Sequence, residues 1–407
     1  MSDVAWHRTF EQHREACVAL APAPTRVDVP VLEARRLVLA EDVHATLNLP
    51  ATDVSAMDGF AVRHADLREG VVLRVVGDVP AGAPADGEVT EGTAVRVMTG
   101  AGIPAGADTV VAVELTDIPR GPVPLPTQIT VREVPPLNDA TRRTGSDVES
   151  GSLVASAGTM VGPLEVAALA ALGRPTIPVL RLPRVRCVAT GAELRGPGEP
   201  LEPGQLHDSN SYALAALCES LGHPVDRVTM AHDDPDAMAA VLPGLLADVD
   251  VLVFTGGVSA GAFEVVRQTL AERGVEFGQV AMQPGKPQGV GVIDGVTIFC
   301  LPGNPVSTVV SFLGFVRPWL DAASGRPAAQ PLTATLTEGW SKKPGRAQFM
   351  PVRLMLGATG HEASQATAGG SLSHLVSRLV GVDGFAMVDA EASEVRAGDE
   401  IKVMMVP

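Results

Sequence analysis

The 407-residue sequence has few aromatic residues, few cysteines and fewer basic than acidic side chains. Its four cysteines (Cys17, Cys187, Cys218 and Cys300) lie far apart and include no C-x-x-C pair. This excludes a disulfide framework or a cysteine zinc site and favours buried thiols in a reducing compartment. No stretch reaches the roughly 18 consecutive apolar residues of a membrane span, and the N-terminus lacks the pattern of a signal peptide. We therefore expect a cytoplasmic protein with no membrane association.

The net charge of −16 also disfavours one class of partner. A phosphate backbone attracts clustered Lys and Arg, so we expect no nucleic-acid partner. Hydrophobic residues make up 46% of the chain and charged residues 19%, which is typical of a globular protein. The length indicates roughly three domains rather than one compact core.

The first 48 or so residues are predicted to be helical. The segments "WHRTFEQHREACVALA" (6–21) and "VLEARRLVLAEDV" (31–43) carry apolar residues at helical spacing. From 53 to 136 the pattern changes to short β-type runs separated by Gly and Pro, which predicts a small β domain.

Strand and helix patterns then alternate over the middle of the chain. Such alternation predicts a parallel sheet with helices on both faces. The last eighty or so residues return to β-type runs, which predicts a final β domain. The predicted strands are 184–189, 226–230, 250–255 and 276–282, and the predicted helices are 163–172, 211–221, 235–247, 263–273 and 305–320.

The segment "VLVFTGGVSAGAFEVV" (251–266) has the order of strand, glycine turn and helix that commonly binds an anion. It does not fit a dinucleotide site. The glycines at 256, 257 and 261 have the wrong spacing for G-x-G-x-x-G, and the following strand ends at Met282 and Gln283 instead of an acid. A hydride-transfer enzyme is therefore disfavoured.

Polar side chains follow four predicted strands. Glu193 lies in "ATGAEL", Asp233 in "AHDDP", Ser259 and Glu264 in "TGGVSAGAFE", and Lys286 in "QPGKP". Each has a structural alternative, since an Asp can cap a helix, a loop Glu can be merely solvated, and glycines form turns. Because ligands bind at the carboxyl ends of strands in open α/β sheets, we expect these residues to share one edge.

The turn "CLPGNPVS" is a second candidate for anion binding. Two prolines restrict its backbone, and the amides at the start of the following helix have no helical partner. The residues in question are Pro302, Gly303, Asn304, Pro305 and Ser307. A purely structural turn is the alternative.

The small β domain adds three weaker signals. Asp58 lies in "SAMDGFAV", Thr99 in "VMTGAG", and Arg142, Arg143 and Asp147 in "TRRTGSDV". Carboxylates from separate segments can bind a divalent cation, and oxygen ligands suit Mg²⁺ better than Zn²⁺.

Taken together, these motifs resemble the molybdopterin molybdenumtransferase family, which includes the E domain of gephyrin. The matching pieces are "SAMDGFAV", "VRVMTGAGIPAGADTVV", the Arg142/Gly145/Asp147 spacing, "ATGAEL", "HDSN", "DDP", "TGGVSAG", "PGKP", "LPGNPVS" and "PGRAQF". They occur in family order from about residue 45 to residue 400. The combination is specific, although each piece alone is not.

The resemblance implies an α/β multidomain fold and an elongated homodimer. Its central α/β/α three-layer domain (179–326) would resemble molybdopterin-adenylylating proteins. The remaining parts would be a helical linker region (1–52 and 137–178), the small β domain (53–136) and a C-terminal β-barrel (327–407).

The implied reaction is molybdenum insertion. Molybdate enters adenylylated molybdopterin, AMP leaves, and Mg²⁺ assists; the molybdopterin-adenylylating protein is the expected partner. The resemblance assigns catalytic roles to Asp58, Thr99, Asp147, Glu193, Asp233 and Lys286, with Asp58, Glu193 and Asp233 as metal ligands. It assigns substrate binding to Gly256, Gly257, Ser259, Glu264, Pro302, Gly303, Asn304, Pro305 and Ser307.

The chain departs from the family pattern at Ala262, Glu264, Gln283 and Ser146. The alternative function is therefore a paralogue or scaffold that binds molybdopterin or a protein without inserting metal. Alanine at Asp58 and at Lys286 would separate the two, since only an enzyme would lose activity while still folded.

Overall fold

The computed structural model describes residues 5–230, 234–257, 265–358, 360–366 and 375–407. A π-helical turn, Phe312–Val316, joins the last two α-helices, and 3₁₀ helices span His64–Asp66, Val113–Leu115 and Val376–Leu379. The α-helices are α1 Phe10–Val18, α2 Pro163–Ala171, α3 Asn210–Ser220, α4 Pro235–Leu246, α5 Val265–Ala271, α6 Pro305–Ser311 and α7 Arg317–Ala323.

Strands are numbered in chain order. The strands within the first 180 residues are β1 Trp6–Arg8, β2 Arg26–Pro30, β3 Val38–Leu39, β4 Val43–His44, β5 Val54–Ser55, β6 Gly59–Val62, β7 Val72–Val79, β8 Thr93–Val97, β9 Thr109–Ala112, β10 Gln128–Thr130, β11 Thr141–Arg142, β12 Leu153–Ala155 and β13 Thr176–Leu180. The next are β14 Val185–Thr190, β15 Leu194–Arg195, β16 Leu206–His207, β17 Val225–Met230, β18 Val251–Thr255, β19 Val275–Val280, β20 Met282–Gln283, β21 Pro287–Ile293 and β22 Val296–Leu301. The last are β23 Leu332–Leu336, β24 Trp340–Ser341, β25 Ala347–Leu356, β26 His361–Gln365, β27 Gly384–Val388, β28 Glu394–Val395 and β29 Glu400–Met405.

The chain forms two compact units. The first comprises Met1–Val29, Arg36–Val38 and Pro178–Pro407, and the second comprises Pro30–Arg35 and Leu39–Ile177.

The first unit contains a seven-stranded sheet in the order β1-β19-β21-β22-β18-β14-β17. Strands β22, β18, β14 and β17 are parallel, as the alternating pattern predicts. Strand β21 differs, because it runs antiparallel to both β19 and β22. The cause is a two-residue turn at Asp294 and Gly295, whose φ angles of 50° and 82° suit a tight hairpin.

Helices cover both faces of this sheet. Val185 and Cys187 of β14 pack in one cluster with Leu214 of α3, and Val188 of the same strand packs in another with Met238 of α4. Alternate residues of a strand point to opposite faces, so these clusters are the two sides of a three-layer α/β/α domain. All four cysteines are buried and free, as expected.

The C-terminal part of the first unit is a closed barrel. Strand β25 pairs with both β26 and β27, which closes the five strands β25-β26-β23-β29-β27 into a ring. The predicted final β domain is confirmed as a β-barrel. The short strand β20 adds to it by pairing in parallel with β25, at Met282–Ala347 and Gln283–Gln348.

The second unit contains the small β domain, a five-stranded sheet in the order β10-β7-β8-β6-β9. Gly59 begins strand β6, which lies between β8 and β9, and a Cβ there would lie 2.3 Å from the carbonyl oxygen of Val111. The glycine after Asp58 is therefore required by close strand packing.

Two helical predictions near the N-terminus are wrong in part. The segment 6–21 begins with β1, which pairs with β19, so its helix is limited to Phe10–Val18. The segment 31–43 contains turns and short strands instead of a helix. Arg36 has a φ of 70°, which an α-helix does not allow, and the burial of Leu39 and Val43 accounts for the apolar pattern.

No helix in the described ranges has the length and apolar character needed to cross a bilayer.

Candidate functional site

The predicted site residues of the first unit follow strands that end at one edge of the seven-stranded sheet. Thr190 is level with Met230, and Thr255 is level with Leu301, so the parallel strands end together. Because β21 runs in the opposite direction, its first residue, Pro287, lies at this same edge. Lys286 immediately precedes it.

Three predicted residues cannot be placed in this way. Asp233, Ser259 and Glu264 lie outside the described residues. Their assigned roles remain predictions.

The two glycine turns lie directly against each other. Gly256 has a φ of 94°, and a Cβ at this position would lie 2.5 Å from the carbonyl oxygen of Thr190. A Cβ on Gly303 would lie 3.3 Å from the Cα of Gly256, while Gly257 has a φ of 64°. The structure thus brings "TGG" and "LPGNP" together, with Gly303 and Asn304 exposed.

Buried hydroxyl groups and one amide hold the two turns in place. The Nδ2 of Asn210 donates to the Oγ1 of Thr255 at 3.0 Å and to the carbonyl oxygen of Gly303 at 2.7 Å. The Oγ1 of Thr308 donates to the carbonyl oxygen of Pro302 at 2.7 Å and lies 3.2 Å from the Oγ1 of Thr255. Asn210, Thr255 and Thr308 were not among the predicted site residues, although "HDSN" was part of the motif set.

Asp208, two residues before α3, fixes the position of Asn210. It is 3% exposed, and it accepts hydrogen bonds from the backbone N–H of Ser211 at 3.0 Å, the Ser211 hydroxyl and the Oγ1 of Thr229 at 2.7 Å. A buried carboxylate with three donors is well satisfied, so the start of α3 is rigidly held.

The second turn leads into α6. Asn304 is the N-cap residue with an extended backbone, and Pro305 occupies the first turn of the helix, where its missing N–H costs nothing. Gly303 and Asn304 are exposed, whereas Ser307 is only 3% exposed. Ser307 lies in the first turn of α6, where backbone amides have no helical partner.

Glu193 and Lys286 supply charge at this edge. Glu193 is exposed, and its carboxylate lies against Gly191, where a Cβ would be 2.4 Å from the Oε2 atom. The loop of Lys286 is held by the buried Gln288, whose Nε2 donates to the carbonyl oxygen of Gly285 and to the Oγ of Ser311, both at 2.7 Å.

A further cation lies beside the Lys286 loop. The pairing of Met282 with Ala347 brings the "PGRAQF" segment next to "QPGKP". Arg346, which directly precedes Ala347, is exposed. Sequence reasoning quoted this motif but did not select its arginine, because the contact joins residues about 60 positions apart.

The second unit brings together three of its motif segments. The Oδ1 of Asp58 accepts hydrogen bonds from the backbone N–H of Thr99 at 2.7 Å and from its Oγ1 at 2.9 Å. Strand β5, just before Asp58, pairs with β11 of the "TRRTGSDV" segment. Asp147 follows on that segment, and Asp58, Thr99 and Asp147 are all exposed.

The chain matches three known family models over most of its length. Residues 8–173 match the model described as MoeA N-terminal region (domain I and II). Residues 186–322 match a probable molybdopterin binding domain, and residues 333–406 match the MoeA C-terminal region (domain IV). Molybdopterin molybdenumtransferase 2 of Mycobacterium tuberculosis (strain H37Rv) is 39% identical over 411 residues, which cover 97% of this chain and 99% of the relative.

The chain belongs to the molybdopterin molybdenumtransferase family. The Haemophilus influenzae member is 32% identical over 400 residues, covering 97% of this chain and 98% of the relative. Membership of this family makes the chain a transferase.

The fold agrees with this membership. The structure of the molybdopterin biosynthesis MoeA protein from Pyrococcus horikosii is similar with a TM-score of 0.82 and 28% identity. The similarity covers 99% of this chain and all of that chain. The multidomain architecture expected from the resemblance is confirmed.

The described residues of this family member do not by themselves form a metal site with three or more protein ligands. Within the described ranges, no group of three or more His, Cys, Asp or Glu side chains is arranged to hold a metal ion by itself. A structural zinc-type centre is thus not formed by the described residues. Mg²⁺ needs fewer protein ligands, since it commonly binds one or two carboxylates together with substrate phosphates and water.

A cavity of about 370 Å³ lies elsewhere, between α1, α7 and the barrel strands β27 and β29. Its lining includes Phe10, Arg14, Arg317 and Met404 but, among the described residues, none of the predicted site residues. The candidate site is therefore the strand edge and not this cavity.

Proposed function

We propose that the protein inserts molybdenum: it takes molybdate and adenylylated molybdopterin, releases AMP and yields molybdenum cofactor, with Mg²⁺ assisting. The observation that carries this proposal is the strand edge where the glycine turns at Gly256 and Gly303 meet beside the Lys286 loop. Exposed backbone next to a cation is suited to phosphate groups. The family name of the relatives supports molybdenum as the transferred element.

The glycine turns would bind the pterin phosphate and nucleotide end of the substrate. Backbone N–H groups at the start of α6 point away from the helix and carry partial positive charge. The Asn210, Thr255 and Thr308 bonds keep this backbone in one conformation, so little reorganisation is needed when the substrate binds.

Lys286 would bind an anion, either phosphate or molybdate. Its ammonium group pairs with charge without requiring one fixed geometry. Arg346 on the adjacent segment would add planar, two-point recognition of oxyanions. Lys286 and Arg346 thus place two cations on neighbouring segments, whereas Gln283 supplies no charge.

Carboxylates would hold the magnesium ion. Glu193 is exposed at the strand edge and offers hard oxygen ligands, which suits Mg²⁺ completed by substrate phosphate. When bound, the ion supplies positive charge that stabilises the negative charge developing on the departing AMP. Asp233 joins Glu193 in this assignment on the family pattern alone.

Asp58, Thr99 and Asp147 belong to the second unit, and the family pattern assigns them to the same reaction. Within that unit, the Thr99 bonds leave the Oδ2 atom of Asp58 as the oxygen for a ligand. Thr99 thereby orients the Asp58 carboxylate.

We also propose that the protein is a cytoplasmic homodimer that receives adenylylated molybdopterin from the molybdopterin-adenylylating protein. The family assignment supports this proposal.

Replacing Lys286 by Ala tests the assignment of an enzyme against that of a scaffold. We expect AMP release to fall about a hundredfold, because one charged contact to the reacting anion is lost. Lys402→Ala is the matched control, since Lys402 is an exposed barrel lysine that bonds Thr333. Full activity of Lys286→Ala, with both variants folded, would contradict the proposal.

A further inference from the structure

Asp53 lies at a junction of three segments in the second unit. Its Oδ1 accepts hydrogen bonds from the backbone N–H of Thr144 at 2.8 Å and from the Thr144 Oγ1 at 2.9 Å. Its Oδ2 accepts one from the Nη1 of Arg143 at 2.5 Å, and its carbonyl oxygen accepts one from the N–H of Ile103 at 3.0 Å. We call Asp53, Ile103, Arg143 and Thr144 the Asp53 junction.

Each of these segments carries one residue assigned to the reaction. Asp58 lies five residues after Asp53, Thr99 four residues before Ile103, and Asp147 three residues after Thr144. Backbone bonds extend the connection, because the N–H of Ser55 donates to the carbonyl oxygen of Ala101 and the N–H of Gly100 to that of Ser55, both at 2.8 Å.

The bonds to Asp53 favour its charged form. The backbone N–H of Thr144, followed by the Arg143 side chain, lowers the pKa of the Asp53 carboxyl group. Arg143 is anchored a second time by the side-chain oxygen of Asn138. The orientation of the Asp53 carboxylate is therefore fixed, because Oδ1 bonds Thr144 and Oδ2 bonds Arg143.

The exposure of the Asp53–Arg143 ion pair indicates how much it contributes to folding stability. The Asp53 side chain is 31% exposed and that of Arg143 is 51% exposed. Ion pairs this exposed add little to folding stability. The Asp53 side chain joins two of the segments and its backbone carbonyl joins the third, so we expect the junction to affect the relative positions of these segments more than overall stability.

We propose that Asp53 and Arg143 are positioning residues that hold Asp58, Thr99 and Asp147 in their working arrangement without touching substrate. This inference rests on the proposed function for its effect on rate. It assigns a role to Asp53 and Arg143 that the reaction assignments above do not include.

Asp53→Asn is the first test, because it keeps the shape and removes the charge. We expect kcat for AMP release to fall about tenfold to a hundredfold, since small displacements of reacting groups carry such penalties. The KM for adenylylated molybdopterin should change less than about threefold, because its assigned binding turns lie in the first unit. Arg143→Gln should give the same loss, and the double variant should lose little more than either single variant.

Asp117→Asn is the matched control. Asp117 lies in the same unit and likewise accepts a backbone N–H bond, from Thr130 at 2.7 Å, but it joins segments without site residues. We expect its kcat to equal that of the unchanged protein. Unchanged kcat in Asp53→Asn would overturn the inference, as would equal losses in Asp53→Asn and Asp117→Asn.

Hydrogen–deuterium exchange separates this inference from the proposed function. If the unchanged protein releases no AMP, the proposed function fails, and exchange then decides the inference. Faster exchange at 99–103 and 141–147 in Asp53→Asn, with the rest of the second unit unchanged, supports a positioning role. Unaltered exchange in both segments contradicts it.

Discussion

At the scale of single residues, Asn210 connects the two glycine turns of the first unit. One amide nitrogen uses both of its hydrogens, on Thr255 and on the backbone of Gly303, and so connects the two strand ends that carry the glycine turns. An amide is needed because both partners accept hydrogen bonds here.

Asn210→Asp tests this geometry, because aspartate matches the shape of asparagine but has no N–H to donate. The carboxylate would face the carbonyl oxygen of Gly303, so the turn should shift. We expect KM for adenylylated molybdopterin to rise about tenfold, because two hydrogen bonds that hold the turn are lost. Steady-state kinetics of AMP release measures it.

Ser220→Ala is the control for this change. Ser220 lies on the same helix, and its hydroxyl bonds only the carbonyl oxygen of Ala216. Its KM should be unaltered. A KM for Asn210→Asp equal to that of Ser220→Ala would show that the turn does not depend on Asn210.

At the scale of elements, the carboxyl ends of β14 and β18 approach too closely for a side chain. Gly256→Ala would place a Cβ 2.5 Å from the carbonyl oxygen of Thr190 while requiring a φ of 94°. We expect a loss of about 2 kcal/mol or more in the free energy of unfolding, from backbone strain and displacement of the strand ends. Thermal or chemical unfolding of the purified variant measures it.

Gly244→Ala provides the opposite case. Gly244 is exposed in α4, and a Cβ there would meet nothing within 4 Å. Alanine should stabilise by roughly 0.5–1 kcal/mol, because glycine is a poor helix former. Equal effects of the two changes would contradict the close approach at Gly256.

The sequence predicted these elements well where pattern and turn chemistry agreed. The predicted strands 184–189, 226–230, 250–255 and 276–282 correspond to β14, β17, β18 and β19, whereas no bounds were predicted for β22. Strand β21 was not predicted, although Asp294 and Gly295 are a typical two-residue hairpin pair. The helix predicted over 31–43 is wrong, and the φ of 70° at Arg36 is incompatible with an α-helix.

The candidate site was predictable to a different extent. Glycines, prolines and charged residues at strand ends carry a local signal, and those described in the first unit follow strands that end at the predicted edge. Thr255 and Thr308 carry none, since their contact joins residues 53 positions apart. The Asp53 junction spans about 90 positions and likewise becomes visible only in three dimensions.

At the scale of the whole molecule, two buried histidines make stability depend on pH. Burial, with a smaller contribution from Arg8, lowers the pKa of His13 to about 3. Burial, followed by Arg326, lowers the pKa of His223 to about 4. Both pKa values are about 6.5 in the unfolded chain, so the unfolded state binds more protons below that pH.

Stability should therefore be complete above pH 6.5 and fall as pH drops from about 6.5 toward 4. Each histidine contributes on the order of 1 kcal/mol per pH unit to this fall. Chemical unfolding followed by tryptophan fluorescence reports on the first unit, because Trp6, Trp319 and Trp340 all lie in it.

His223→Asn should reduce the slope of the unfolding free energy against pH, because one group fewer gains a proton on unfolding. His361→Asn, at an exposed position of the same unit, should leave the slope unchanged. Identical slopes for the unchanged protein and His223→Asn would show that His223 does not stay neutral when buried.

Molybdate dependence is the property that distinguishes metal insertion from substrate binding alone. The measurement is AMP release from adenylylated molybdopterin by the purified protein with Mg²⁺, as molybdate is increased. We expect AMP release that rises with molybdate, reaches a plateau and is lost in Asp58→Ala. Tight substrate binding without release at any molybdate concentration would contradict it and identify a binding protein built on the same fold.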